Sequence, residues 1–160
     1  MEKIIEQDIK AKLEELSKLV APCLQCASCA AACPVFQTHF ERNPRQVALR
    51  LARGDFSDVL ADEAFWWCGS CYSCEAHCPQ GVPLTHVFFE LKRLAVEASK
   101  PVPKLIQKIG ERLSEGFISP ATPDVQEKRK KLDLPPVAKP DLQEIQKILD
   151  VSGLSQKLKS

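Results

Sequence analysis

The chain has 160 residues, 22 basic against 21 acidic side chains, and a formal net charge of +1. That balance excludes the bulk positive field of a nucleic-acid binder, and the length suits one compact domain with extensions better than two full ones. No apolar run reaches the roughly 18 residues of a bilayer span, and the opening MEKIIEQDIKAKLEELSKLV is too charged for a secretory leader, so a soluble, cytoplasmic protein with no direct membrane span is expected.

The first expected element is an amphipathic helix over residues 3–20. Ile5, Ile9, Leu13, Leu16 and Val20 recur at three- and four-residue steps, with Glu and Lys on the other face, and Pro22 ends it. Further on, Asn43 and Pro44 read as N-cap and first helical residue. Val47, Ala48, Leu51 and Ala52 form the apolar face of that helix, and Gly54 is its stop. A second short helix is expected from Ser57 or Asp58 to the Phe65-Trp66-Trp67 run. Past Gly81-Val82-Pro83, Leu84, Val87, Phe88, Leu91, Leu94 and Ala95 make a buried stripe, and Glu90, Lys92, Arg93 and Glu97 a wet face. The period-two alternation of a strand is missing from the segment between residues 34 and 67.

The remainder differs in kind, because seven of the twelve prolines fall between Pro101 and Pro140. A helix over 104–114 is expected from Leu105, Ile106, Ile109 and Leu113, followed by a charged, weakly ordered stretch, QEKRKKLDLPPVAKP. The last helix starts at Asp141, with Glu144 completing a capping-box variant, and ends near Gly153. Its stripe of Leu142, Ile145, Ile148 and Leu149 either folds back locally or docks, with residues 132–136, on a partner. The expected organisation is thus an N-terminal helix (1–21), a cysteine-bearing domain (22–100) and a Pro-rich, partly helical extension (101–160) suited to partner docking.

All eight cysteines fall in two short clusters, with none in the first 22 residues or the last 82. Disulfides staple distant segments, so this distribution fits metal ligation in a reducing compartment better. Both clusters spell C-x2-C-x2-C-x3-C-P: Cys23, Cys26, Cys29, Cys33, Pro34, and then Cys68, Cys71, Cys74, Cys78, Pro79. Two-residue spacers let three consecutive thiolates wrap the corners of one small cubane. Structural zinc is the alternative, but zinc sites bring cysteines in C-x2-C pairs separated by a loop. A Gly-rich phosphate loop, a nucleophile–base pair and a spare cysteine are all missing from the sequence, so no catalytic residue is expected beyond electron transfer.

The run itself resembles that of bacterial ferredoxins, in which the fourth cysteine ligates the other cluster. Carried over, the resemblance implies two 4Fe-4S clusters, one on Cys23, Cys26, Cys29 and Cys78, the other on Cys68, Cys71, Cys74 and Cys33. Around these ligands, His77 reads as a sulfur contact or a plain loop residue. Trp66, Trp67 and Tyr72 read as cluster flanks or core, and Arg45 as a partner or cluster contact or a solvated surface charge.

The helical surroundings look like the all-α, α-helical ferredoxin architecture, also seen in iron–sulfur subunits of succinate dehydrogenase and fumarate reductase. More closely, CLQCASCAAACPV, NPRQVALRLARGD and WWCGSCYSCEAHCPQGV resemble the C subunits of heterodisulfide reductase and of heterodisulfide reductase-like complexes, from about Pro22 to Leu94. That resemblance implies an electron-transfer subunit between a flavin-containing A subunit and a B subunit holding the thiol–disulfide site. An iron–sulfur subunit of a fumarate reductase-like or glycolate-oxidase-like complex is the nearest alternative, although those subunits usually bring further cysteines or a further cluster domain. A zinc-stabilised interaction module is the alternative of another class.

Overall fold

The computed structural model describes residues 2–98, 102–113, 115–116, 121–137 and 140–153, and contains no strand among them. The chain divides into two compact units, Met1–Val102 and Pro103–Ser160. The side chains of Ile5, Leu105 and Ile106, together with Pro101 and Ser114, lie outside the described residues.

The first unit is built on three longer helices whose apolar residues meet in one core. Helix α1 (Glu2–Val20) buries Ile9, Leu13, Leu16 and Val20 against α4 (Pro44–Arg53) and α7 (Leu84–Glu97). The start of α4 is fixed by Asn43, whose Oδ1 accepts from the Arg45 N–H at 3.0 Å, with Pro44 as first helical residue. Its end is fixed by Gly54 at φ 81°, a left-handed position that glycine adopts without steric cost. Val47, Ala48 and Leu51 are fully buried, whereas Ala52 is exposed. At 3.6 residues per turn Ala52 lies about 90° around from the centre of that face, which places it in water.

The apolar stripe of α7 is buried throughout, from Leu84 to Ala95. Lys92, expected on the wet face, is instead half-buried, and its Nζ donates to the Cys68 carbonyl at 3.0 Å. Its aliphatic stem lies along the core while the ammonium finds an oxygen.

The single helix expected before the tryptophans is two elements, α5 (Phe56–Ala61) and a 3-10 turn, Ala64–Trp67. Asp62 divides them. Its Oδ1 accepts from the Ala64 N–H at 2.8 Å, and its other oxygen receives Arg50 from α4. That local side-chain bond competes with helix continuation and starts the new turn. Pro34 opens a further helix, α3 (Pro34–Thr38), with Cys33 as N-cap.

The second unit holds α8 (Lys104–Leu113), α9 (Pro123–Lys131) and α10 (Leu142–Val151). Helix α9 takes in most of the charged stretch expected to be weakly ordered. Thr122 caps it, Pro123 is its first residue, and Asp124 sits in the first turn, paired with Lys128 at 2.8 Å. Lys128, Arg129, Lys130 and Lys131 occupy the last turn, where cations suit the helix dipole. Asp141 caps α10 by accepting from the N–H groups of Gln143 and Glu144. Of the α10 stripe, Leu149 is buried and Ile145 half-buried, while Leu142 and Ile148 are exposed. The buried edge of α10 packs within its own unit, for a Cβ added at Gly116 meets Pro140 Cγ at 2.5 Å and Ile145 Cδ1 at 2.9 Å.

Candidate functional site

The two cysteine motifs fold into the same loop. In each, the second and fourth residues after the first cysteine are left-handed: Gln25 (φ 56°) and Ala27 (φ 68°) in one, Ser70 (φ 56°) and Tyr72 (φ 60°) in the other. None of the four is glycine, and Gly69, the one glycine inside a motif, takes neither left-handed place. Left-handed residues alternating with ordinary ones turn successive backbone N–H groups inward, the nest arrangement that receives anions and iron–sulfur centres. Single-turn helices follow, α2 (Ser28–Ala31) and α6 (Ser73–Ala76), each carrying the third cysteine. The fourth cysteine is then set by equivalent turns, Cys33 N–H to Ala30 O at 3.1 Å and Cys78 N–H to Glu75 O at 3.0 Å. Helices α2 and α6 pack on one another, bringing the two loops side by side.

Two cavities lie at these loops. One is lined by Cys23, Cys26, Cys29 and Cys78, the other by Cys33, Cys68, Cys71 and Cys74. Each draws three thiols from one motif and the fourth from the other. The matched thiols also share environments: Cys29 and Cys74 are buried, and Cys26 and Cys71 are exposed. Burial pushes the Cys29 thiol up to about 11, aided by Cys23, Cys74 and Cys26. Cys74 is raised for the same leading reason, while the buried Thr85 hydroxyl, 3.7 Å from its sulfur, opposes the shift. Cys26 and Cys71 are lowered by hydrogen bonds from Ser28 and Ser73. Other sulfur contacts are Gln25 Nε2 on Cys23 at 3.3 Å and the Val82 N–H on Cys78 at 3.4 Å.

This donor set fits an iron–sulfur cluster. Thiolate is the ligand type such clusters take, and inward N–H groups meet their negative charge. Four cysteines can also hold structural zinc, but here each cavity completes one motif's three-thiol C-x2-C-x2-C loop with a single thiol of the other, the arrangement that iron–sulfur ligation uses.

Charged groups complete the surroundings. Arg45 lines the first cavity and donates to the Gln25 carbonyl at 3.4 Å. Arg42 lines the second, its guanidinium carbon 3.8 Å from the centre of the Trp67 ring. Lys92 stands behind Cys68; burial lowers its pKa and the Cys68 thiolate opposes this. The Glu75 carboxylate accepts from the Thr85 N–H at 2.6 Å, tying α6 to the start of α7. Of the aromatics, Trp66 is core, Trp67 is half-exposed under Arg42, and Tyr72 lines the second cavity while largely exposed. His77 is exposed, its Nδ1 on the Ser73 carbonyl at 2.9 Å. Sequence reasoning missed Arg42, Lys92 and Thr85. Only Thr85 left a signal, as the polar residue inside an apolar stripe.

Comparison with known proteins agrees with this chemistry. Residues 19–82 match the 4Fe-4S dicluster domain family. The chain is 35% identical to the C subunit of the ferredoxin:CoB-CoM heterodisulfide reductase of Methanosarcina mazei, covering 74% of this chain and 72% of that protein. It is 34% identical to the C subunit of the ferredoxin/F(420)H(2)-dependent CoB-CoM heterodisulfide reductase of Methanosarcina acetivorans, covering 78% and 80%. A protein of Archaeoglobus profundus that is itself like heterodisulfide reductase C subunits is 29% identical over 58% of this chain and 52% of its own. No described helix is long and apolar enough to cross a membrane. The chain therefore belongs to the family of heterodisulfide reductase C subunits, as an iron–sulfur electron-transfer subunit whose cofactors are two 4Fe-4S clusters.

Proposed function

We propose that this chain is the electron relay of a heterodisulfide reductase-type complex, working between a flavin-containing A subunit and a B subunit that holds the thiol–disulfide site. In this reading Cys23, Cys26, Cys29 and Cys78 hold one cluster, and Cys68, Cys71, Cys74 and Cys33 the other. The supporting observation is the make-up of the two cavities, each combining three thiols of one motif with the fourth of its partner. The clusters supply one-electron transfer, at potentials set by hydrogen bonds, charge and burial.

The chain's own residues hold and shield. Eight free thiols supply the ligands, which suits a reducing cytoplasmic setting. The buried side chains of Val82 and Leu84 line the first cavity and keep water from its inner side. Opening a mixed disulfide consumes two electrons and two protons, and the protons have no donor in this chain's proposed role, so that chemistry belongs to the B subunit. The extension, residues 101–160, serves as a docking arm for a partner subunit; exposed Leu142, Ile148 and Val151 on α10 support this. A chain ending at Pro140 that co-purifies with its partners at full yield would end the docking idea.

The test of the relay is reconstitution. Purified A and B subunits should reduce a CoB-CoM-type heterodisulfide from reduced A only when this chain, loaded with iron and sulfide, is added. Equal rates without it would overturn the reading.

A further inference from the structure

Each cavity is lined by one arginine, and the second has a further cation behind one of its thiols. At the first, Arg45 is held on the Gln25 carbonyl at 3.4 Å. At the second, Arg42 is in the lining and Lys92 stands behind Cys68. Lys92 approaches from α7, its Nζ on the carbonyl of the ligand Cys68 at 3.0 Å, and Arg42 approaches from the turn before α4. Arg42 is held by the Trp67 face, and its side chain is only 16% exposed, while the Glu41 carboxylate that pairs with it is 66% exposed. A charge in such a position is screened much less than its solvent-facing partner. Glu75, which follows the ligand Cys74 in the chain, is engaged by the Thr85 N–H at 2.6 Å, where the positive end of α7 offsets it.

Each reduction adds one negative charge to a centre, so a fixed cation nearby stabilises the reduced form. We infer that Arg42 and Lys92 make the second cluster the more easily reduced of the two, giving the chain an internal downhill direction from the Cys23–Cys29 side to the Cys68–Cys74 side. The exchange is one electron: one cluster is oxidised as the other is reduced, and no atom or proton moves. This inference rests on the crossed ligand reading and adds to it an order of potentials and the side chains that set it.

The test is an anaerobic redox titration of the full chain loaded with iron and sulfide, followed by electron paramagnetic resonance. Cys71→Ser, by removing or altering one signal, marks the second cluster. The wild-type second cluster should titrate at the higher potential. Lys92→Gln and Arg42→Gln should each lower that potential by about 59 mV, a tenfold change in a one-electron equilibrium, and leave the lower one in place. Arg45→Gln should lower only the other. Lys92→Arg, which keeps the charge, should restore the wild-type value and so separates charge from packing. A higher potential on the first cluster, or potentials indifferent to both neutral variants, overturns the inference while leaving the ligand reading intact. Iron content below two clusters in the wild-type chain would instead overturn the ligand reading.

Discussion

Gln25 and Ser70 occupy the same place in the two motifs, two residues after the first cysteine, and both stand at φ 56°. Neither is the residue that position favours, since left-handed backbone costs an L-residue about 1–2 kcal/mol. The strain is retained where cluster binding over-determines the loop. Ser70→Gly should relieve it, partly offset by the larger entropy of an unfolded glycine, for a net gain within about 1 kcal/mol. Ser70→Val puts a β-branched side chain where it fits worst and should cost about 2 kcal/mol or more. Thermal melts of the apo chain check both values. Iron and sulfide analysis should show the valine variant short of one cluster, and the glycine variant complete.

The crossed ligand reading makes a prediction that simple iron counting cannot mimic. Cys33→Ala should leave Cys68, Cys71 and Cys74 open to anaerobic alkylation while Cys23, Cys26 and Cys29 stay protected by the other cluster. Cys78→Ala should give the reverse pattern. Peptide mass spectrometry after iodoacetamide reads which thiols were labelled. Labelling of Cys23, Cys26 and Cys29 in Cys33→Ala would show that each motif closes on itself.

Much of this arrangement was legible in the sequence, for reasons tied to particular residues. Strong helical periodicity in Leu84–Ala95 and the Asn43-Pro44…Gly54 punctuation located α7 and α4, because caps and stripes are local signals. The cysteine spacing identified the chemistry, because the ligands and their spacers are contiguous. Asp62 broke an expected helix by accepting from the Ala64 N–H, and its other oxygen is held by Arg50, twelve residues earlier, a partner that no local pattern announces. Helix α9 was hidden by its low apolar content; its signal lay in Thr122, Pro123 and the ordering of charges. Arg42 reaches the second cavity, and Lys92 the Cys68 carbonyl behind it, only through tertiary packing, which brings together residues far apart in the chain.

The buried thiol of Cys29 ties apo stability to pH. Its folded value of about 11 lies above the ordinary 9.0, chiefly through burial, so the folded chain holds the proton more tightly than the unfolded one. Stability from this group is fully present below pH 9 and is lost as pH rises through about 11. Apo chain should therefore melt progressively lower across that window, and Cys29→Ala should flatten the slope. Cys26, lowered by its Ser28 hydrogen bond, should be alkylated before Cys29 at mildly alkaline pH. Equal labelling rates for the two would contradict the burial argument.

Asp62 is the joint on which the Trp66-Trp67-Cys68 segment turns. One oxygen accepts from the Ala64 N–H at 2.8 Å and starts the 3-10 turn; the other meets Arg50, and the side chain is only 13% exposed. Removing it leaves an N–H without its acceptor and a guanidinium without its acid, a loss of about 2–3 kcal/mol on the usual cost of a cap together with a charged hydrogen bond. Asp62→Asn retains the capping acceptor and gives up the charge, so it should lose about half as much. Denaturant melts of the apo chain followed by tryptophan fluorescence measure both, since Trp66 and Trp67 lie in that turn. The decisive comparison is between the two variants. If alanine and asparagine cost the same, the cap contributes nothing and the ion pair with Arg50 alone sets the position of Cys68; if asparagine is nearly silent, the backbone bond to Ala64 does so.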